Sequence, residues 1–337
     1  MALMESIQHT LIIGAGMAGL SAARRLIASG QKVTIIDKGR GVGGRMATRW
    51  SDSPDGVRAL YDHGAQFFTV RSQVFQAEAT RWQSEGLVRE WAYGFADETG
   101  VARSDGHPRF AVRGGMNALA REMARPLPVR LQTRADSIGW DDGWQVRLEN
   151  GETLMAQSLI LTPPVEQSLA LLDAGQTQLP DDARAALERI DYDPCFALLV
   201  ELDQPGRLPD PGAVQIQGEP IAWIGDNHRK GISPDAFTVT IHAGPEFTRT
   251  NWDTPHDVVA TRLLSAAERW IGAPVRRWQV HRWRYSQPRT PHPESCLVVD
   301  TPGRLVFAGD AFGQPRLEGA FLSGLTAAER LLDQGLL

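Results

Sequence analysis

The stretch HTLIIGAGMAGLSAARRLIASGQKVTIID, from His9 to Asp37, most constrains what this chain can become. Leu11-Ile12-Ile13 predicts a short buried strand, and Gly14-x-Gly16-x-x-Gly19 follows at once. Leu20, Ala23, Leu26 and Ile27 then recur at helical spacing, Gly30 ends the helix, and Lys32–Ile36 predicts a second strand closing on Asp37. Each glycine has a task in this strand–turn–helix–strand frame. Gly14 permits the tight turn, Gly16 lets the backbone approach a pyrophosphate, and Gly19 lets helix and strand pack closely. The helix N-terminus faces the anion, and Asp37 stands where a carboxylate accepts ribose hydroxyls. This unit binds a dinucleotide, and the fingerprint by itself does not separate NAD from FAD.

The rest of the chain bears on that choice. KGRGVGGRMATRW, Lys38 to Trp50, predicts a flexible glycine and arginine loop where a nicotinamide dehydrogenase leads into another helix. Gly43-Gly44-Arg45 offers backbone amides and a guanidinium for a second approach to a pyrophosphate. Near the other end, Leu305–Ala308 reads as a strand and Gly309-Asp310 as its turn. Leu317, Ala320, Phe321, Gly324, Leu325, Ala328 and Leu331 then repeat at helical spacing. Gly319 and Gly324 are expected to allow close backbone approach to something flat, and a helix N-terminus there suits negative charge on a reduced isoalloxazine. An extended FAD needs two such distant segments, one at each end.

Between them, 129–160 reads as an antiparallel meander with turns at Asp141-Asp142-Gly143 and Asn150-Gly151, preceded by a helix over 114–125. Strands are expected at 195–202, 213–217, 221–224, 237–243 and 275–285. A helix over 256–270 carries Val259, Leu263, Ala266, Ala267 and Trp270 on one face. The expected fold is α/β, a discontinuous Rossmann-type dinucleotide domain with a second domain built on an antiparallel sheet with flanking helices. Its expected parts are 1–70, 107–165 and 290–337 for the cofactor and 71–106 and 166–289 for the substrate. Along the strand RRWQVHRWRYS, His281, Trp283 and Tyr285 alternate onto one side and form one wall of a flat pocket; ordinary strand packing explains them equally. His242 is as readily structural.

Composition excludes other classes. The net charge is -5, against a nucleic-acid partner or a polybasic membrane surface. No apolar run approaches membrane-spanning length, and MALMESIQHT lacks the regions of a signal peptide, so a cytoplasmic protein is expected. Cys195 and Cys296 lie far apart, with no metal-ligand spacing, so no metal site is expected. Only Lys32, Lys38 and Lys230 are lysines.

Asp62-His63-Gly64-Ala65-Gln66-Phe67-Phe68-Thr69 closely resembles the segment after the flavin loop in renalases. Gly44-Arg45-Met46, Gly114-Gly115-Met116, Asp193-Pro194, His281-Arg282-Trp283 and Leu317–Gly324 match in the same order, and Ser158–Val165 resembles a middle turn of the wider glutathione-reductase-like FAD superfamily, in its amine oxidase branch. The resemblance implies an FAD oxidase of misreduced nicotinamides, the 2- and 6-dihydro isomers of NAD(P)H, that gives NAD(P)+ and reduces oxygen to hydrogen peroxide. The implied cofactor residues are Gly14, Gly16, Met17, Gly19, Asp37, Lys38, Gly44, Arg45, Ala65, Gln66, Gly309, Asp310 and Leu322. Phe67, Phe68, Thr69, Val70 and Arg71 form the implied substrate site, to which the alternating His281, Trp283 and Tyr285 are added as candidates. The expected partners are a small dinucleotide and molecular oxygen. Phe67 stands where bacterial relatives commonly carry Tyr, and Ala311-Phe312-Gly313-Gln314 replaces a Trp-containing form. No cysteine follows Cys296, so the FAD is expected to be non-covalent. A flavin amine oxidase, a carotenoid-type desaturase and a catalytically silent flavin sensor are the alternatives.

Overall fold

The computed structural model describes residues 9–52, 56–300 and 302–333; MALMESIQ, at the head of the segment read above for a leader, lies outside them. The chain divides into two compact units, one from Met1–Gly44, Ala120–Asp191 and Pro288–Leu337, the other from Arg45–Leu119 and Tyr192–Gln287. The α/β class with a second antiparallel domain matches expectation.

In the first unit the strand His9–Ile13 lies between Lys32–Ile36 and Ser158–Leu161, parallel to both, with Ile13 level with Ile36 and Leu161. Arg304–Phe307 continues the sheet in parallel beyond 158–161 and Val129–Arg130 beyond 32–36, while Leu297–Val299 runs antiparallel at one edge. Leu11, Ile12, Leu159, Ile160, Leu305 and Val306 have no exposed surface, as strands covered on both faces require. The predicted meander is thus a three-stranded sheet of Ala135–Trp140, Trp144–Leu148 and Thr153–Ala156, and the two ends of 129–160 belong to the parallel sheet instead.

In the second unit five strands lie in the order Ala213–Gln215, Ile221–Asp226, Phe237–Ala243, Asp191–Leu202 and Val275–Thr290. The helix His256–Ile271 covers them with Val259, Ala260, Leu263, Ala267 and Trp270, against Leu198, Val200, Val239 and Ile241. Ala260 completes this stripe and the expected Ala266 is exposed, because the buried face follows the helical repeat more narrowly than the apolar letters do. Two hairpins, Thr48–Asp52 with Arg58–Asp62 and Val88–Ala92 with Arg109–Val112, complete this unit's strands among the described residues. Thr48 to Trp50, read as loop, is strand.

Candidate functional site

In the first unit the strand His9–Ile13 ends in a turn that only glycine makes without strain. Gly14 has φ +107°, and a Cβ there would strike the Thr162 hydroxyl. That hydroxyl donates 2.9 Å to the Ile13 carbonyl, tying the Thr162-Pro163-Pro164 turn to the glycine loop. Gly16 caps the helix Met17–Ala28 with no side-chain hydrogen bond and nothing within 4 Å of its Cβ position, so the helix N-terminus is open to an anion. Gly19 and Met17 are buried beneath it. Asp37 ends the next strand with Oδ2 accepting from the Ala15 amide and Oδ1 from Gly39, each at 2.7 Å. Each oxygen keeps a lone pair for a ribose hydroxyl. Lys38 donates 2.9 Å to Gln167, and Gly43 donates 2.8 Å to the Ala15 carbonyl, drawing Gly44 towards the same loop. An open, uncapped helix start, a glycine turn and a carboxylate together fit the pyrophosphate and ribose of a dinucleotide.

At the other end, Gly309 donates 2.8 Å to Ser323 Oγ, and Asp310 follows at the start of the loop. The helix Leu317–Asp333 begins beyond it. The expected close approach to a flat ligand at Gly319 and Gly324 is corrected here. A Cβ on Gly324 would collide with the Ala18 carbonyl, and one on Gly319 with the Gln314 carbonyl. Gly324 lets this helix cross the first helix, where Ser21 Oγ donates 2.9 Å to the Phe321 carbonyl, whereas Gly319 makes room for the loop that leads into its own helix. Leu322, half-buried, faces away from that crossing's buried stripe.

In the second unit Phe67 and Phe68 point to opposite sides of an extended segment pinned by reciprocal hydrogen bonds between Phe68 and Phe110, at 3.1 and 2.8 Å. Phe67 meets Phe95, Trp223 and Trp91 with ring centroids 4.9, 5.6 and 6.4 Å away. Phe68 is 2% exposed and packs on Phe110, Phe75 and Trp82. Its ring is committed to the core, so the expectation that Phe68 lines a substrate site is corrected: alternation sends only one of the two phenylalanines to the far side. Thr69 and Val70 are half-buried and Arg71 is exposed.

His281 and Trp283 do share a side, 4.5 Å apart, with exposed Arg282 and Arg284 on the other. His63 joins them, stacked 5.4 Å from Trp283 and edge-on 4.8 Å from His281. Tyr285, further along, packs edge-on to Tyr192 instead. The His63 carbonyl accepts from Trp283 Nε1 at 2.7 Å and from His242 Nε2 at 3.2 Å. Burial lowers all three imidazole pKa values, to about 3 for His63 and about 4 for His242 and His281, with the Arg49 guanidinium near His63 and His281 acting in the same direction, so these rings carry no charge at neutral pH. Ala65 donates 2.8 Å to the Arg45 carbonyl, and the Arg45 guanidinium reaches the carbonyls of Tyr285 and Ser286 at 3.4 Å. Gln66 turns its amide inward, donating to the carbonyls of Asp62 at 2.7 Å and Gly64 at 3.1 Å.

Reading the sequence missed His63 and Lys230. Lys230 Nζ sits 2.9 Å from Asp62 Oδ2 with both side chains 1% exposed. Its signal was its rarity, one of three lysines among 35 basic residues. Among the described residues no cluster of His, Cys, Asp and Glu could hold a metal, and no helix is long and apolar enough to cross a membrane.

Comparison with known proteins agrees with this geometry. A family described as flavin containing amine oxidoreductase matches residues 77–332, and a NAD(P)-binding Rossmann-like domain matches residues 12–77. An L-amino-acid oxidase from Naja atra is 32% identical over 95 residues, 25% of this chain and 19% of that protein. Another L-amino-acid oxidase, from Bungarus fasciatus, is 28% identical over 106 residues, 28% of this chain and 20% of its own length. The chain thus spans well under a third of the length of either relative. Similar solved structures include a protein from Exiguobacterium sp. 255-15 assigned as a protoporphyrinogen oxidase, with TM-score 0.76 and 13% identity, covering 98% of this chain and 99% of that one. A triple mutant of putrescine oxidase has TM-score 0.72 and 16% identity, with 97% and 99% covered. At such identity these likenesses show the fold.

Proposed function

The chain belongs to the flavin containing amine oxidoreductase family, an FAD-dependent oxidoreductase, and within that family we propose a renalase-like oxidase of misreduced nicotinamides. Its substrates are the 2- and 6-dihydro isomers of NAD(P)H. In the balanced reaction one such isomer, one oxygen molecule and one proton give NAD(P)+ and hydrogen peroxide. Bound FAD supplies a two-electron acceptor that oxygen reoxidises.

The observation that carries this reading is the uncharged wall of His63, His281 and Trp283. A dihydropyridine is already a hydride donor, and its aromatisation drives transfer, so it needs flat apolar contact and exclusion of water rather than a strong base. Phe67 and Trp91, half-buried against the buried rings of Phe95 and Trp223, supply further aromatic surface. In this reading Thr69, Val70, Arg71 and Tyr285 belong to the substrate side. Gly14, Gly16, Asp37 and Lys38, with Gly44, Arg45, Ala65, Gln66, Gly309, Asp310 and Leu322, belong to a non-covalently held FAD. The division by ligand, 1–70, 107–165 and 290–337 against 71–106 and 166–289, cuts differently from compactness, which groups 45–70 and 107–119 with the second unit and 166–191 and 288–289 with the first. A cytoplasmic setting, where such isomers of NAD(P)H would arise, completes the proposal.

The family match favours one second reading, oxidation of an amine. Anaerobic stopped-flow separates the two. The yellow protein is mixed with 2-dihydro-NAD, 6-dihydro-NAD, NADH or a panel of amines, and flavin absorbance is followed. Fast bleaching by an isomer alone, reversed by air, is expected. Bleaching by an amine alone overturns the proposal. Acid precipitation should leave all flavin in the supernatant.

A further inference from the structure

Among the described residues Lys230 is the largest charged side chain wholly buried, and the loop between the strands Ile221–Asp226 and Phe237–Ala243 is built to deliver it. Asp226 Oδ1 accepts from the amides of His228 and Arg229 at 2.9 and 3.0 Å, and the Asp226 carbonyl accepts from the Lys230 amide at 2.9 Å. Asn227 donates 3.0 Å to Thr240 Oγ1, Ser233 Oγ accepts from Leu60, and Arg89 binds the Lys230 carbonyl. At the tip the ammonium forms the ion pair with Asp62, donates to the Gln66 carbonyl at 3.1 Å and to Gln66 Oε1 at 3.4 Å, and lies 5.4 Å from the centre of the Trp91 ring. Asp62 is held in turn by Thr48 Oγ1 at 2.6 Å and the Met116 amide at 2.8 Å.

A buried ion pair does little for net stability compared with apolar packing of equal volume. What this one does is geometric, because every partner of the ammonium lies within or against the segment Asp62–Phe67. We infer that Lys230 is a positioning residue: through Asp62, the carbonyl and side chain of Gln66, and Trp91 behind Phe67, it fixes the segment that presents Gln66 and Phe67. The inference rests on the assignment of those two residues above. Gln66 has no freedom of its own here, since its amide is spent on Asp62 and Gly64 and its oxygen faces the ammonium.

The test uses the flavin-loaded full chain with Lys230→Met and Asp62→Asn combined, which removes both charges together and leaves a carboxamide oxygen at position 62 to accept from Thr48 and Met116. Two quantities are read: hydrogen exchange of the amides of residues 63–67, and the rate at which FAD leaves the holoenzyme on dilution. Both are expected to rise about tenfold, with exchange elsewhere unchanged. Lys230→Arg, which restores the charge, is expected to recover part of both. Wild-type values for both quantities overturn the inference, as does faster exchange with unchanged FAD release. If the double variant does not fold, Lys230→Arg decides by the same readings, small rises in both exchange and FAD release that move together supporting the inference and faster exchange with unchanged FAD release overturning it. Neither reading needs a substrate, so failure of every dihydronicotinamide to bleach the flavin would sink the proposed activity and leave this inference standing.

Discussion

The glycine cradle of the first unit and the Asp62–Phe67 segment of the second solve similar problems with different materials. The cradle is made of backbone: the turn at Gly14, the open helix start at Gly16, and Asp37 and Thr162 bonded to main-chain atoms. The other segment is held mostly by side chains drawn from far apart in sequence, with Thr48, Lys230, His242 and Trp283, and the backbone amide of Met116, all bonded to residues 62–66 or to their carboxylate. Backbone geometry tolerates loss of one side chain, whereas a buried network leaves a stranded polar group when one member goes.

That contrast can be broken by single substitutions. Lys230→Met alone strands the Asp62 carboxylate and should cost about 3–5 kcal/mol in urea unfolding; a loss under about 1 kcal/mol would show that the pair carries no buried charge. Acid comes next. His63 and His242 titrate near 3 and 4 when folded and near 6.5 when unfolded, so between those values the unfolded chain binds more protons. Their contribution is complete above about pH 6.5 and is lost as pH falls, on the order of 2 kcal/mol each by pH 5. Unfolding free energies flat from pH 7 to 5 would contradict buried neutral rings. In the first unit, Gly324→Val forces the two helices apart at the Ala18 carbonyl and should cost roughly 2–3 kcal/mol by the same measurement. Thr162→Val removes one hydrogen bond beneath Gly14 and should cost about 1 kcal/mol. A Thr162→Val effect as large as that of Lys230→Met would erase the distinction.

The same contrast explains what could be read without coordinates. The dinucleotide unit is legible because its information is local, three glycines and an acid within one strand–helix–strand. The five strands of the second sheet and its helix were legible from alternation and helical repeat. Residues 129–160 were misread at both ends because two short strands, Val129–Arg130 and Ser158–Leu161, look alike whether their neighbours run parallel or antiparallel. Gly319 and Gly324 announced a close approach but not its partner, which lay some three hundred residues away at Ala18 for the second of them. Phe67 and Phe68 are identical letters whose fates diverge through the bridge to Phe110. His63 and Lys230 have no periodic neighbours, and their meaning comes from long-range contacts no spacing encodes.

Both cysteines are buried free thiols. Burial pushes Cys195 up to about 12 and also raises Cys296. Peroxide attacks the thiolate, and at neutral pH a thiol with that acidity is ionised in only about one molecule in a hundred thousand. Under the proposed reaction hydrogen peroxide would form at every turnover, and an exposed thiolate on this chain would be an early target of it. Keeping sulfur protonated and out of solvent protects it from sulfenic acid formation without any reductant.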